Sequence, residues 1–378
     1  MLNTEPVYSN PMQKSRWSEI AERYRSDIEA GRLGPGDRLP SDAALAELCG
    51  VSRVTAHKAL AQLRRLGLVV RDGRRGTTVA PQGRVATGRV ALVLDQVAHQ
   101  RDFPRADLLG GLHEGLGEDY SLLWCDSKLS VEREMEFLQR MPKEADGILC
   151  WPTGDPRSAA ILRELAARDV PLVLLDRVPE GTKANAVISD SVGATRRALE
   201  FLMERGHQRI AMLTFDKPHV STVVERTATY EAVLEERGLS TKGLVRRFPA
   251  ALEFGEPNGF IQAVYDALFT LVHSPEKATA VYCVQDMFGA AVLDCAAEMG
   301  LNVPGDLEVA TFNDWPSMML HRPWQAHRIT TRADEIGRVA AARLRELMDG
   351  AGGPPRVERI PAELVVADAG LLPLTNVS

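Results

Sequence analysis

Seven short apolar runs punctuate the chain beyond residue 88, at residues 90–94, 121–124, 147–151, 172–175, 210–214, 280–284 and 309–312. Runs this brief and this continuously apolar suit strands covered on both faces, not the alternating pattern of a sheet with one wet side. Between them lie stretches with helical apolar spacing, near 106–118, 130–141, 156–168, 191–205, 222–237, 258–272, 286–299 and 333–348. Strands interleaved with helices in this way predict parallel sheets flanked by helices on both faces. The segment is too long for one core, so two such α/β lobes are expected.

The first 80 residues read differently. Trp17, Ile20, Ala21, Tyr24 and Ile28 recur at helical spacing before Gly31, Gly34, Pro35 and Gly36 break the chain. Ser41 is placed to cap a helix over 42–48 that Gly50 stops. Ser52 is placed to cap another, running to about Leu66 before Gly67. Two β-prone runs, 68–71 and 77–80, flank the turn Asp72-Gly73-Arg74-Arg75-Gly76. Three helices and a hairpin in this order predict a winged helix-turn-helix. The expected organisation is a head over 1–80, a linker over 81–88 and a body over 89–370. The body's lobes are expected at 89–188 plus 315–329 and at 189–314 plus 330–360.

The helix after Ser52 carries the chemistry of the head. Ala56, Ala59, Leu60 and Leu63 form one apolar face, while Arg53 and His57, flanked by Thr55 and Lys58, lie on the other. An exposed helix bearing Arg, Thr, His and Lys suits the major groove, where such groups meet base edges and phosphates. Ser41 and Ser52 mark helix N-termini whose free amides suit phosphate. Arg74, Arg75 and Gly76 at the hairpin tip suit the adjacent minor groove.

Charge is distributed accordingly. The whole chain carries −6, but residues 1–85 hold 14 Lys and Arg against 9 Asp and Glu, so the acid excess belongs to the body. A basic head on an acidic body fits a polyanion-binding module attached to something else. Five scattered cysteines (Cys49, Cys125, Cys150, Cys283, Cys295) without a C-x-x-C pair argue against a disulfide framework or a structural zinc site. No apolar run approaches a membrane span, and the N-terminus lacks a secretion signal, so a cytoplasmic protein is expected. Phosphate-loop, zinc-protease, nucleophile-elbow and dinucleotide-loop signatures are absent, so neither catalysis, metal nor cofactor is expected.

The head string resembles the GntR family closely. It runs Ile28-Glu29-Ala30-Gly31-x3-Pro35-Gly36-Asp37-Arg38-Leu39-Pro40-Ser41, then Leu45-Ala46, Gly50-Val51-Ser52-Arg53-x-Thr55, Ala59-Leu60-x-x-Leu63, Gly67-Leu68-Val69 and Gly76-Thr77. The resemblance implies DNA binding as a homodimer on an inverted repeat through Arg53, Thr55 and the wing. Two positions depart: Ala43 stands where the family usually has Arg, and His57 replaces a common Arg.

Body strings resemble the LacI/GalR family, whose fold is shared with periplasmic sugar-binding proteins. They include Val170-Pro171-Leu172-Val173-Leu174-Leu175-Asp176-Arg177, Ser189-Asp190-x-x-Gly193-Ala194, Gly206-His207-x-Arg209-Ile210-Ala211, Arg226-x3-Tyr230, Gly300-Leu301-x-Val303-Pro304 and Pro361-x-Glu363-Leu364-Val365. The combination is similar to that of the arabinose regulators. It implies a two-lobed body that takes a small polar effector, most simply a sugar, at the strand ends. Carried over, Asp176 would accept hydroxyl hydrogen bonds and Arg226 would clamp a hydroxyl or carboxylate. Thr229 replaces a glycine, Gln285 a usual Asn, and Asn313 a usual Asp. Phe103 and Trp151 are candidates either for stacking on a sugar ring or for core packing. His207 and Asp190 read as packing and capping residues. The expected function is an effector-controlled repressor. The alternatives are an effector-independent DNA binder and an activator or co-repressor type response.

Overall fold

The computed structural model describes residues 15–72, 76–80, 87–94, 106–168, 170–253, 257–312, 325–351 and 353–367. The head opens with α1 (Arg16–Glu29), α2 (Asp42–Cys49) and α3 (Arg53–Arg65), followed by β1 (Val69–Asp72) and β2 (Gly76–Val79). Ser41 and Ser52 cap as expected, accepting from the Ala44 and Thr55 amides at 3.2 and 3.1 Å. Gly50 ends α2 at φ 62°, a left-handed turn that glycine enters without strain. β1 and β2 pair antiparallel from Val69–Val79 to Asp72–Gly76, and Arg38 bridges to Thr78 on the far side of β2. One core joins the parts: Ile20, Tyr24, Leu45, Ala56, Leu60, Leu63, Val69 and Val79 pack together.

The body holds two six-stranded sheets. The first contains β3 (Arg89–Leu94), β4 (Ser121–Asp126), β5 (Gly147–Cys150), β6 (Leu172–Leu175), β7 (Asn185–Ser189) and β13 (Val357–Ile360), in the order β13-β7-β6-β5-β3-β4, all parallel. One face buries Val90, Leu92, Leu149 and Val173 under α4 (Ala106–Leu116) and α11 (Ala333–Met348). The other buries Ala91, Val93, Ile148 and Leu174 under α5 (Val131–Glu144) and α6 (Pro156–Ala167). Successive residues of a strand feed opposite cores, which is why these runs are apolar throughout.

The second sheet contains β8 (Ile210–Asp216), β9 (Val245–Pro249), β10 (Ala280–Cys283), β11 (Glu308–Phe312), β12 (His327–Thr330) and β14 (Glu363–Val365), in the order β14-β12-β11-β10-β8-β9. Only β14 runs antiparallel. Its helices are α7 (Ser191–Glu204), α8 (Ser221–Glu236), α9 (Pro257–His273) and α10 (Asp286–Glu298).

The chain passes between lobes three times, at 189–191, 330–333 and 360–363. This corrects the expected partition of the C-terminal region. Residues 327–330 belong to the second sheet, beside β11, whereas 333–360 return to the first. Two forces decide it: β13 completes the edge beside β7, and α11 packs on α4. That helix pair meets at backbone distance. A Cβ on Gly111 would lie 1.8 Å from the Asp334 carbonyl oxygen, and one on Gly337 would lie 2.4 Å from that of Leu108.

Candidate functional site

On the head, the apolar face of α3 is buried while Arg53, His57 and Lys58 are exposed, as the spacing predicts. His57 Nδ1 lies 3.3 Å from Asp42 Oδ2 at the start of α2, so the two helices share one polar rim. Ser52 Oγ and Thr55 Oγ1 are 2.8 Å apart, which ties Thr55 to the cap as well as to the reading face. Gly76 sits at φ 81° with the Arg38 guanidinium 3.3 Å from where a Cβ would be, and Thr77 is buried beneath the hairpin. Burial removes Thr77 from the expected contact set, because its side chain packs inward where β2 alternates. Arg74 and Arg75 lie outside the described residues. The spacing argument missed Val54, which follows Arg53 and is 66% exposed although apolar. An exposed branched methyl pair at a helix start is the signal that marks it.

In the body, Arg226 projects from α8 and is only 3% exposed. Its Nη1 donates to the Val284 carbonyl at 2.8 Å and its Nε to Ser191 Oγ at 3.3 Å. The guanidinium carbon lies 3.5 Å from the Phe312 ring centroid, a stacked cation–π arrangement. Burial lowers the Arg226 pKa, while the fields of Tyr282, Asp176 and Asp286 partly offset this. The influence of Asp176 joins the lobes: it follows β6 directly, is buried, and holds φ 65°. A non-glycine residue held left-handed at a strand end is a feature of functional sites.

Arg177 donates from Nε to Asp176 Oδ2 at 3.1 Å and lies 5.8 Å over the Trp151 ring. Trp151 follows β5, half-buried against the first core with its face beneath Arg177. Gln285 precedes α10 and donates from Nε2 to Glu253 Oε1 at 3.1 Å, while its buried Oε1 has no protein partner. Glu253 also pairs with Lys217, which follows β8 by one residue. Sequence reasoning missed Lys217, Glu253, Arg177 and Ser191, because none breaks the local pattern. Phe103 and Asn313 lie outside the described residues.

The lobes touch beside this pocket. Val178 N donates to Ser221 Oγ at 3.1 Å, and Glu225 on α8 pairs with Arg359 on β13 at 2.8 Å. His207 packs as expected: it joins Arg205 and His327 around the buried Glu308 carboxylate, with His207 Nε2 at 2.6 Å and His327 Nε2 at 2.7 Å. Asp190 caps α7 by accepting from Gly193 N at 2.9 Å. Among the described residues no group of His, Cys, Asp or Glu is arranged to hold a metal, and no helix is long and apolar enough to cross a membrane.

An exposed cationic helix on a winged head, joined to two sheets that meet at a polar pocket, defines a DNA-binding regulator with a ligand-sensing body. Comparison with known proteins gives the same class. Residues 17–79 match the bacterial regulatory proteins of the gntR family, and 199–368 match the periplasmic binding protein-like domain. The chain is 25% identical over 251 residues to the transcriptional regulator KdgR of Bacillus subtilis, covering 65% of this chain and 70% of that one. It is 23% identical over 314 residues to the arabinose metabolism transcriptional repressor of Geobacillus stearothermophilus, covering 79% and 82%. The solved complex of the regulator CelR with cellobiose superposes with TM-score 0.62 at 22% identity, covering 88% of this chain and all of that one. The chain is thus a transcription regulator built from a GntR-type DNA-binding head and a LacI-type, periplasmic-binding-protein-like sensor.

Proposed function

We propose that this regulator is a cytoplasmic repressor that binds an inverted-repeat operator as a homodimer and releases it when a small polar effector enters the pocket between its lobes. A sugar or sugar derivative is the effector class that best suits the pocket. The observation that carries the reading is Arg226: a buried guanidinium with two fixed donors, stacked on Phe312 within the field of Asp176 from the other lobe. Such a donor and acceptor facing each other across an interlobe gap suit polar groups of one small molecule. The related arabinose repressor and the cellobiose-bound CelR support the sugar class by analogy.

The head, over residues 1–80, presents Arg53, Val54, His57 and Lys58 to the major groove, with Ser41, Ser52 and Thr55 at the phosphates and Arg74, Arg75 and Gly76 on the wing. The linker covers 81–88 and the body 89–370. Around Arg226, the pocket takes Asp176, Trp151, Gln285, Phe103 and Asn313. Effector closes the lobes and shifts the equilibrium away from the DNA-competent arrangement, which requires tighter binding to the incompetent state by about 1–3 kcal/mol. A mobility-shift titration on a selected operator, with and without sugars that raise the melting temperature, tests it. Weakened operator binding with effector supports the repressor; unchanged affinity for every stabilising sugar rejects the coupling.

A further inference from the structure

We propose that the effector is an anion, a carbohydrate carrying a carboxylate or a phosphate whose oxygens bind Arg226. This rests on the reading of the interlobe pocket as the effector site. Three cations stand around that pocket: Arg177, Lys217 and Arg226. Arg177 is neutralised by Asp176 at 3.1 Å and Lys217 by Glu253. Among the described residues, no carboxylate lies within ion-pair distance of Arg226; its partners are a carbonyl oxygen and a hydroxyl. The two carboxylates whose fields reach it are engaged elsewhere, Asp176 on Arg177 and Asp286 on the Met287 amide at 3.0 Å.

Desolvating a guanidinium without a counter-charge is costly, and arginine does not escape the cost by losing its proton. Phe312 covers one face of the group, and Ser191 and Val284 occupy Nε and Nη1. Nη2 remains as the donor without a protein partner among the described residues. A carboxylate or phosphate oxygen placed there supplies both the missing acceptor and the missing charge. A neutral hydroxyl supplies only the acceptor. Selectivity for the acid over the neutral sugar follows from that difference.

The test is calorimetric titration of the full-length protein with matched probes: galactose against galacturonate, glucose against glucuronate, and glucose against glucose 6-phosphate. At least one anionic member is expected to bind about tenfold or more tighter than its neutral partner. Whether it is a uronate or the phosphate identifies the source of the anion. Because Arg226 is buried and its replacement risks unfolding, the variant is Ser191→Asp, which sets a carboxylate beside Nε at the first turn of α7, where an acid also suits the helix end. It is expected to weaken the anion about tenfold or more without lowering the melting temperature. Neutral sugars binding as tightly as their acids would overturn the anion while leaving effector control standing. Equal anion binding by wild type and Ser191→Asp would also overturn it, by placing the anion elsewhere. If no probe bound and none altered operator affinity, the effector site itself would fall, and the anion with it.

Discussion

Arg53 and Arg226 are both arginines near the N-terminal part of a helix, yet their surroundings give them opposite tasks. Arg53 is exposed on the first turn of α3, free to reach a base edge. Replacing it with alanine removes a contact worth about 1–3 kcal/mol, so specific operator affinity should fall roughly 10–100-fold in a mobility-shift titration at moderate salt, with binding to unrelated duplex little changed. His57 offers a different outcome. Its contact with Asp42 is largely solvent-exposed and contributes little to stability. His57→Ala should therefore leave the melting temperature unmoved while changing base preference in a selection from random duplexes. Asp176 and Arg226 were legible in the sequence because each is a polar residue beside an apolar run. Lys217, Glu253 and Ser191 were not, because a charge in a loop or a serine at a helix start is ordinary until the chain folds them together.

At the scale of elements, the helices of the body were legible almost to the residue. The spacing near 106–118, 191–205 and 333–348 became Ala106–Leu116, Ser191–Glu204 and Ala333–Met348. Interior strands were equally clear, since burial on both faces leaves no polar residue to blur the run. β9, β13 and β14 were not, because they are sheet edges that mix Arg and Glu with apolar residues. β7 is interior but opens on Asn185, whose buried carbonyl oxygen accepts from Arg343 Nε at 2.9 Å. The contact of α4 with α11 depends on absent side chains. Gly111→Ala forces a methyl into the Asp334 carbonyl, so it should cost about 1–3 kcal/mol in urea denaturation, against near-neutrality for Gly110→Ala, which meets open space.

The Glu308 cluster predicts a dependence on pH. Burial lowers the His327 pKa, with the Glu308 hydrogen bond opposing only in part. Burial raises that of Glu308, but the bonds from His207 and His327 and the Arg205 charge outweigh it and hold the carboxyl below its usual value. A histidine depressed in the folded state favours folding above its ordinary value of about 6.5 and loses that advantage as the unfolded chain takes up its proton below it. A depressed carboxyl loses its contribution lower still, as pH falls through the folded value. The melting temperature should decline on acidification from pH 7 to 5, and His327→Gln should flatten that decline.

For the whole molecule, the effector signal must cross contacts between the lobes that can be made and broken. The Val178–Ser221 bond and the Glu225–Arg359 pair are such contacts. Ser221→Ala removes the first without disturbing either core. It should change operator affinity in the absence of effector by roughly 2–10-fold, with the effector-saturated affinity moving less, as expected when only the balance between two states is altered. A mobility shift at both limits checks this.

The three crossings between lobes also set an order of events during synthesis. The head closes its core using residues before 80, so it is complete once that segment has left the ribosome. The first lobe waits for α11 and for β13 at residue 360. A nascent chain thus carries a finished DNA reader attached to an unfinished sensor. Any message ending near residue 330 would yield a reader with no means of being told to let go.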